Sequence, residues 1–291
     1  MKLLLLMNPS SRGGRGKQLW NRLFSAIEKN GLIYQKHILS NIEEAYELAK
    51  SATGFDAVAA VGGDGTVNAV AAGVLENPDP DLKFGVLYTG TSPDFCRFHG
   101  IPTEPEEAVN ILCGNFSRKI PVLVANGKPF FCSCNPGMGA EVAAGANRMR
   151  PFFGDGIGTF LALLKALRRN RKWNFKLNRE RDLANCNHLL FTRMPYIAGG
   201  IKIDLPDLKD DEFVVWYLQD ISRRKWLSIL PGLYRGDVQG HLEILKESVR
   251  LECPEECPVE FDGDPHGSLP LEISFSPRKL NLICRKEGTE K

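Results

Sequence analysis

The sequence predicts a two-part α/β protein, with a Rossmann-like parallel-sheet domain first and an antiparallel β-rich domain after it. Three observations carry that prediction. Apolar runs alternate with helical periodicities through residues 1–118, the order of a parallel sheet whose strands are joined by helices. Between one apolar run (residues 57–61) and an Ala- and Val-rich helical stretch stands the turn Gly62-Gly63-Asp64-Gly65-Thr66. Beyond residue 118 helices become sparse, and short strand-like runs bounded by turn residues take over.

The elements follow in order. Residues 2–7 are apolar and run straight into Asn8-Pro9, which reads as a buried strand rather than an export signal. Residues 17–29 place Leu19, Leu23, Phe24 and Ile27 at helical spacing. Residues 34–39 are a second strand, and residues 43–51 a helix with Ala45, Leu48 and Ala49 on one face. The third strand, residues 57–61, leads through the glycine turn into a helix over residues 66–75. Residues 84–87 are a fourth strand, and residues 104–114 a helix. Then Asn126-Gly127, between apolar runs, marks a hairpin. Further strands are expected at residues 188–192, 213–218, 249–252, 259–261 and 271–275, with helices at residues 156–170 and 226–233. A last strand, residues 280–284, is free to return to the first domain, so the domains are drawn as 1–118 plus 279–291, and 119–278.

Composition narrows the function. Lys plus Arg number 37 against 35 Asp plus Glu, a net charge of +2, so no global field argues for nucleic acid. No run approaches the roughly 20 apolar residues that span a bilayer. The eight cysteines show no framework, and neither Cys132-x-Cys134 nor Cys253-x3-Cys257 completes a zinc spacing. The expected setting is a reducing cytoplasm.

The chemistry gathers after the strands. In a parallel sheet, loops at strand carboxyl ends meet on one edge. The first such loop is polar and basic, Asn8-Pro9-Ser10-Ser11-Arg12-Gly13-Gly14-Arg15-Gly16-Lys17. It is not a Walker loop, because Gln18 follows Gly16-Lys17 and Ser11 stands at the first glycine position. The second, at Gly62, offers a close backbone approach and free helix-start N–H groups to a phosphate. Asp64 inside it repels an anion unless a cation bridges the two, which points to Mg2+-nucleotide handling. The third is Gly90-Thr91-Ser92-Pro93-Asp94-Phe95, where Thr91 is a nucleotide ligand candidate. Late in the chain, Asp262-Gly263-Asp264 reads as a turn whose carboxylates can also serve as general base or metal ligand. The acidic turn at residues 207–212 suits a hard cation or plain solvent. Residues 165–181 carry eight cations against Glu180, beside an apolar helix face of Ile157, Phe160, Leu161, Leu164 and Leu167. That pattern suits either a solvated helix end or contact with an anionic membrane.

Taken together, Gly62-Gly63-Asp64-Gly65-Thr66-Val67-Asn68 resembles the GGDGTxN signature of the diacylglycerol kinase catalytic family, which is related to sphingosine kinases and NAD kinases. Asn8-Pro9-Ser10-Ser11 resembles that family's NPxSG, residues 90–95 its GTxNDF, residues 135–142 its NxGxGAEV, and Asp262-Gly263-Asp264 its late DGE. The resemblance implies ATP- and Mg2+-dependent phosphorylation of a lipid hydroxyl in a cleft between the two domains. It implies ATP contacts from Asn8, Pro9, Ser10, Ser11, Arg12, Ser40, Gly62, Gly63, Asp64, Gly65, Thr66, Val67, Asn68 and Thr91. It implies Asp264 as general base, with Asp64 and Asp262 as the other catalytic carboxylates, and a structural Mg2+ at Leu208, Asp211 and Phe213. The cysteine usage sets the expected location as cytoplasmic, peripheral to the inner face of the membrane where the basic segment rests on lipid. Three positions depart from the pattern: Pro93 replaces an asparagine, Asp264 a glutamate, and Glu212 a glycine. Against the lipid kinase stand a kinase of a soluble acceptor such as NAD, and a nucleotide-binding regulator without turnover.

Overall fold

The computed structural model describes residues 1–286 except 198, 230, 231, 233, 234 and 239; for residues 150, 151, 153–156 and 227 it describes the backbone. The chain divides into two compact units, Met1–Val122 with Pro277–Lys291, and Leu123–Ser276.

In chain order the first unit runs β1 (Lys2–Met7), α1 (Trp20–Lys29), β2 (Ile33–Ile38), α2 (Ile42–Lys50), β3 (Ala57–Gly62), α3 (Asp64–Glu76), β4 (Lys83–Tyr88), α4 (Asp94–Phe98), α5 (Pro105–Gly114) and β5 (Ser117–Ile120). The second unit holds β6 (Leu123–Ala125), β7 (Lys128–Phe130), β8 (Ser133–Pro136), α6 (Met138–Arg169), β9 (Trp173–Leu177), β10 (Arg181–Thr192), β11 (Tyr196–Ile197), β12 (Ile201–Lys202) and β13 (Phe213–Gln219). It continues with α7 (Arg223–Ile229), β14 (His241–Leu245), β15 (Val249–Glu252), β16 (Pro258–Phe261), β17 (Asp264–Ser268) and β18 (Leu271–Phe275). The final strand is β19 (Leu280–Ile283).

The first unit is built on a sheet of order β2-β1-β3-β4-β19-β5. All neighbours from β2 to β19 pair in parallel, and β5 closes the edge antiparallel to β19. Leu3, Leu5, Met7, Ala57, Ala59 and Val61 share a core with Leu23 and Ile27 of α1 and Val109 and Leu112 of α5. The alternate residues Leu6, Val58 and Ala60 are equally buried and point to the other face, as the two-residue strand period requires. Strands β1 and β3 are neighbours, and the chain leaves β1 toward β2 but leaves β3 toward β4, in opposite directions across the sheet. That is a topological switch point, the place where ligands sit in such sheets.

The second unit is an antiparallel sheet of order β17-β16-β8-β10-β9-β15-β18-β6-β7, with β13 paired to β10 and β14 paired to β13. Its core joins Trp173, Phe175, Leu189, Phe191, Phe213 and Phe261. Asn126 and Gly127 both have positive φ, +48° and +78°, the twist-matched two-residue turn between β6 and β7. The α/β class with an antiparallel second part therefore stands.

Several elements differ from the sequence reading: α4, β9, β14 and β17 are additional, β10 starts at Arg181 rather than residue 188, α1 starts at Trp20 rather than residue 17, and two helices start early. Helix α6 starts at Met138, well before residue 156, and spans 32 residues. Pro151 and the local glycines argue against a helix when read alone, yet the Ala-rich start carries it from Gly137, whose φ is +73°. Helix α3 opens at Asp64, two residues early, because Gly63 takes the extended N-cap conformation. The helix expected at residues 226–233 is seen to Ile229 and its remainder lies partly outside the described residues. Among the described residues no helix is long and apolar enough to cross a membrane.

Candidate active site

In the first unit three loops meet at the carboxyl ends of β1, β3 and β4 and are tied to one another. The Asn8 side chain donates to Thr66 Oγ1 at 2.8 Å and accepts from the Ser10 N–H at 2.9 Å. Ser11 Oγ donates to the Thr89 carbonyl at 3.0 Å and accepts from Thr89 Oγ1 at 3.1 Å. The Arg12 guanidinium donates to the Gly90 carbonyl at 2.9 Å. Residues 8–12, 62–68 and 89–91 thus form one cradle.

Its glycines are explained by space. A Cβ on Gly90 would stand 2.5 Å from Gly63 Cα, so two backbones touch there. A Cβ on Gly62 would stand 2.3 Å from Thr66 Oγ1. Gly65 is the opposite case: it is exposed and nothing lies within 4 Å of its Cβ position. Asp64 occupies the first turn of α3, where the helix dipole favours negative charge. Tyr88 Oη donates to Asp64 Oδ2 at 2.7 Å and accepts from the Ser92 N–H at 2.9 Å, which orients the carboxylate. Burial, reinforced by the Asp64 charge, raises the Tyr88 phenol well above its ordinary value, so it stays a donor.

The other candidates of this unit separate by exposure. Val67 is fully buried and belongs to the core; its N–H donates to the Gly63 carbonyl at 3.0 Å. Asn68 Oδ1 is buried and has no partner among the described residues, an acceptor open to a ligand hydroxyl or a bound water. Thr91 and Ser40 are exposed, Ser40 just before the Asn41 cap of α2. Pro93 precedes α4, whose buried Asp94 pairs with Arg97 at 3.2 Å.

In the second unit Asp262 (φ +53°) and Gly263 (φ +93°) are the two central residues of the hairpin turn between β16 and β17, where Phe261 pairs with Asp264. The Asp262 carboxylate accepts from the N–H groups of Phe131, Cys132 and Ser133 at 2.8, 2.7 and 2.9 Å. It is a clamp on the β7–β8 connection, and both oxygens are occupied. Asp264 is exposed at the start of β17. The motif therefore places one carboxylate inward and one outward.

Glu260 is a titratable group that the sequence reading missed. It lies in β16 between Val259 and Phe261, where strand alternation assigns a charged residue to solvent, yet it is 5% exposed. Asn135 Nδ2 and the Gly263 N–H donate to its carboxylate. Burial pushes its carboxyl up to about 8, and pushes Asp262 up to about 6 against the pull of its three amides. The one available signal was Asn135 itself, the first residue of the Asn-x-Gly-x-Gly stretch. A Cβ on Gly137 would meet Trp173 Nε1 at 2.7 Å, and one on Gly139 would meet Asn135 Cβ at 2.4 Å.

Residues 2–125 match the family model of the diacylglycerol kinase catalytic domain. That stretch is similar to a diacylglycerol kinase catalytic domain. A "Diacylglycerol kinase" of Mycobacterium tuberculosis (strain ATCC 25618 / H37Rv) is 29% identical, covering 99% of this chain and 96% of the relative. Its namesake in Bacillus subtilis (strain 168) is 25% identical over 98% of this chain and 97% of the relative. A crystal structure of a diacylglycerol kinase from Bacillus anthracis str. Sterne aligns with TM-score 0.68 at 18% identity, covering 98% and 97% of the two chains. A second structure from that strain aligns with TM-score 0.78 at 19% identity, over 98% and 95%. The likeness extends through both units, and the diacylglycerol kinase-like chain is a phosphotransferase with an alcohol group as acceptor.

For the structural Mg2+ implied at Leu208, Asp211 and Phe213, the one side-chain donor is Asp211, in a turn whose neighbouring carbonyls face Arg193. Asp211 has a side chain 66% exposed, 3.9 Å from Lys246 Nζ. The carbonyls of Lys209, Asp210 and Glu212 already receive Arg193 Nη1. Among the described residues no group of three or more His, Cys, Asp or Glu side chains is placed to hold a metal. The basic segment is also largely paired: Arg171 with Glu141 and Glu255, Lys172 with Asp220, Lys176 with Asp182, Arg179 with Glu252, and Arg181 with Glu243. Lys165, Arg168 and Arg169 are exposed, beside an exposed Ile157 and Phe160.

Proposed function

We propose that this chain transfers the γ-phosphoryl group of ATP to the hydroxyl of a lipid, diacylglycerol or a close relative. The cradle at the β1/β3 switch point carries the reading: backbone at Gly62, Gly63 and Gly90 packs tightly, Gly65 has open space at its Cβ position, and the Asp64 carboxylate is held in the first turn of α3 by Tyr88. Phosphoryl transfer rests on positioning and charge stabilisation, which such a cradle supplies. The names of the M. tuberculosis and B. subtilis relatives support a lipid acceptor.

Residues 8–12, 62–66, Asn68 and Thr91 are assigned to the nucleotide, with Arg12 and the α3 N–H groups facing phosphate charge. When bound with the nucleotide, Mg2+ supplies neutralisation of that charge, and Asp64 is the carboxylate suited to hold it. Asp264 is the general base. The lipid hydroxyl gives its proton to that carboxylate as its oxygen bonds to the γ-phosphorus; the bond from γ-phosphorus to the bridging oxygen breaks and ADP leaves. Lys165, Arg168 and Arg169, with Ile157 and Phe160, suit peripheral contact with an anionic membrane, at about 1 kcal/mol per cation.

The test is purified protein with radiolabelled ATP, Mg2+ and mixed micelles of diacylglycerol, phosphatidylglycerol or a sphingoid base, with NAD as a separate acceptor. One lipid is expected to take the label, and Asp64→Asn to lower kcat by about 10²–10³-fold. Label entering NAD and no lipid would move the acceptor to a soluble substrate. An Asp64→Asn protein with undiminished transfer would remove the assignment.

A further inference from the structure

We propose that Arg193 is a built-in substitute for a bound divalent cation in the turn before β13, so that this turn folds without metal. The turn is closed by its own backbone and by Glu212. The Glu212 N–H donates to the Lys209 carbonyl at 3.0 Å, and Glu212 Oε2 accepts from the Lys209 N–H at 3.0 Å. Its carbonyls converge on one point. Arg193 Nη1 donates to Lys209 O at 3.0 Å and to Asp210 O at 3.5 Å, and it also donates to the Glu212 carbonyl. Converging carbonyl oxygens beside a carboxylate are the ligand chemistry of a hard cation. Here a guanidinium occupies that point of convergence, held from behind by Phe275, whose ring centroid is 5.5 Å away.

The acidic side chains are answered separately. Lys246 Nζ lies 3.2 Å from Glu212 Oε1 and 3.9 Å from Asp211 Oδ2. Arg193 and Lys246 thus offset part of the charge of Asp210, Asp211 and Glu212 that would attract a metal, and a further cation would be repelled by both. Glu212, where the related family has glycine, is what makes the arrangement work: its carboxylate ties the Lys209 amide and faces Lys246. The inference concerns the folding of the second unit and is independent of the proposed reaction.

The experiment compares wild type with Arg193→Ala and Arg193→Lys, free of nucleotide, in EDTA and in millimolar MgCl2 or CaCl2. Thermal unfolding and hydrogen exchange of amides 202–217 are the readouts. Wild type is expected to behave identically in all three buffers. Arg193→Ala is expected to exchange on the order of tenfold faster in this segment in EDTA, having lost charge-assisted hydrogen bonds, and to regain protection with Ca2+ or Mg2+. Arg193→Lys, which keeps the charge, is expected to remain insensitive to divalent cations. EDTA-sensitive exchange of wild type would overturn the proposal without any variant. So would an Arg193→Ala protein that exchanges normally, or one that divalent cations do not restore.

Discussion

Two turns rich in Asp and Gly serve this protein in opposite ways. At Gly62-Gly63-Asp64 the glycines are needed for space: neighbouring backbone and Thr66 leave no room for a side chain. At Asp262-Gly263-Asp264 there is nothing within 4 Å of a Cβ on Gly263, and glycine is needed for its φ of +93°. The carboxylates differ too. Asp64 stands at a helix start with Tyr88 bonded to one oxygen, while Asp262 is spent on three backbone amides. Shared residue types therefore say little about role. What surrounds the turn decides whether a carboxylate sits in a helix's first turn under one hydroxyl or holds strands together.

The contrast is most easily broken at Asp262. Asp262→Ala leaves three N–H groups without their acceptor, and a loss of roughly 3–5 kcal/mol in unfolding free energy is expected. Denaturant titration checks it. A stable Asp262→Ala protein with lowered kcat alone would mean that Asp262 acts on substrate rather than on the β7–β8 connection.

The buried neighbour Glu260 gives the second test. Its carboxyl is raised from 4.5 to about 8, so the folded state holds a proton that the unfolded state has released. Its contribution to stability is then complete below about pH 4.5 and is lost as pH rises toward 8, a change of a few kcal/mol at most. Between pH 5 and 8 the melting temperature of wild type should fall more steeply than that of Glu260→Gln. Parallel curves for the two proteins would show that Glu260 titrates normally.

The smallest effect separates the glycines. Gly90→Ala forces backbone apart at the cradle, and a cost of about 1–3 kcal/mol with weakened ATP binding is expected. Gly263→Ala adopts a disfavoured φ in open space, a cost of about 1–2 kcal/mol, with ATP affinity unchanged. Calorimetric titration with nucleotide distinguishes them, and equal loss of affinity in both would erase the difference between the two turns.

Much of this was legible beforehand because it is local. The parallel sheet, its cradle glycines and Asp64 follow from short-range apolar runs and turn residues. The Asn126-Gly127 hairpin does as well. The start of α6 was not legible, since Pro151 and glycine propensity compete with an Ala-rich start that packing favours. Glu260 was hidden because strand alternation assumes one wet face, and all but the first residue of β16 are buried.

By itself the sequence determined the alternation of strands and helices, the phosphate-type turn and the family likeness, because each rests on residues a few positions apart. The tertiary structure decided what the acidic groups do. Asp262 meets amides about 130 residues away. Arg193 reaches a turn 16 to 19 residues on. Both outcomes depend on which chain segments fold alongside one another, and burial then sets whether a charge is bonded, protonated or left facing solvent.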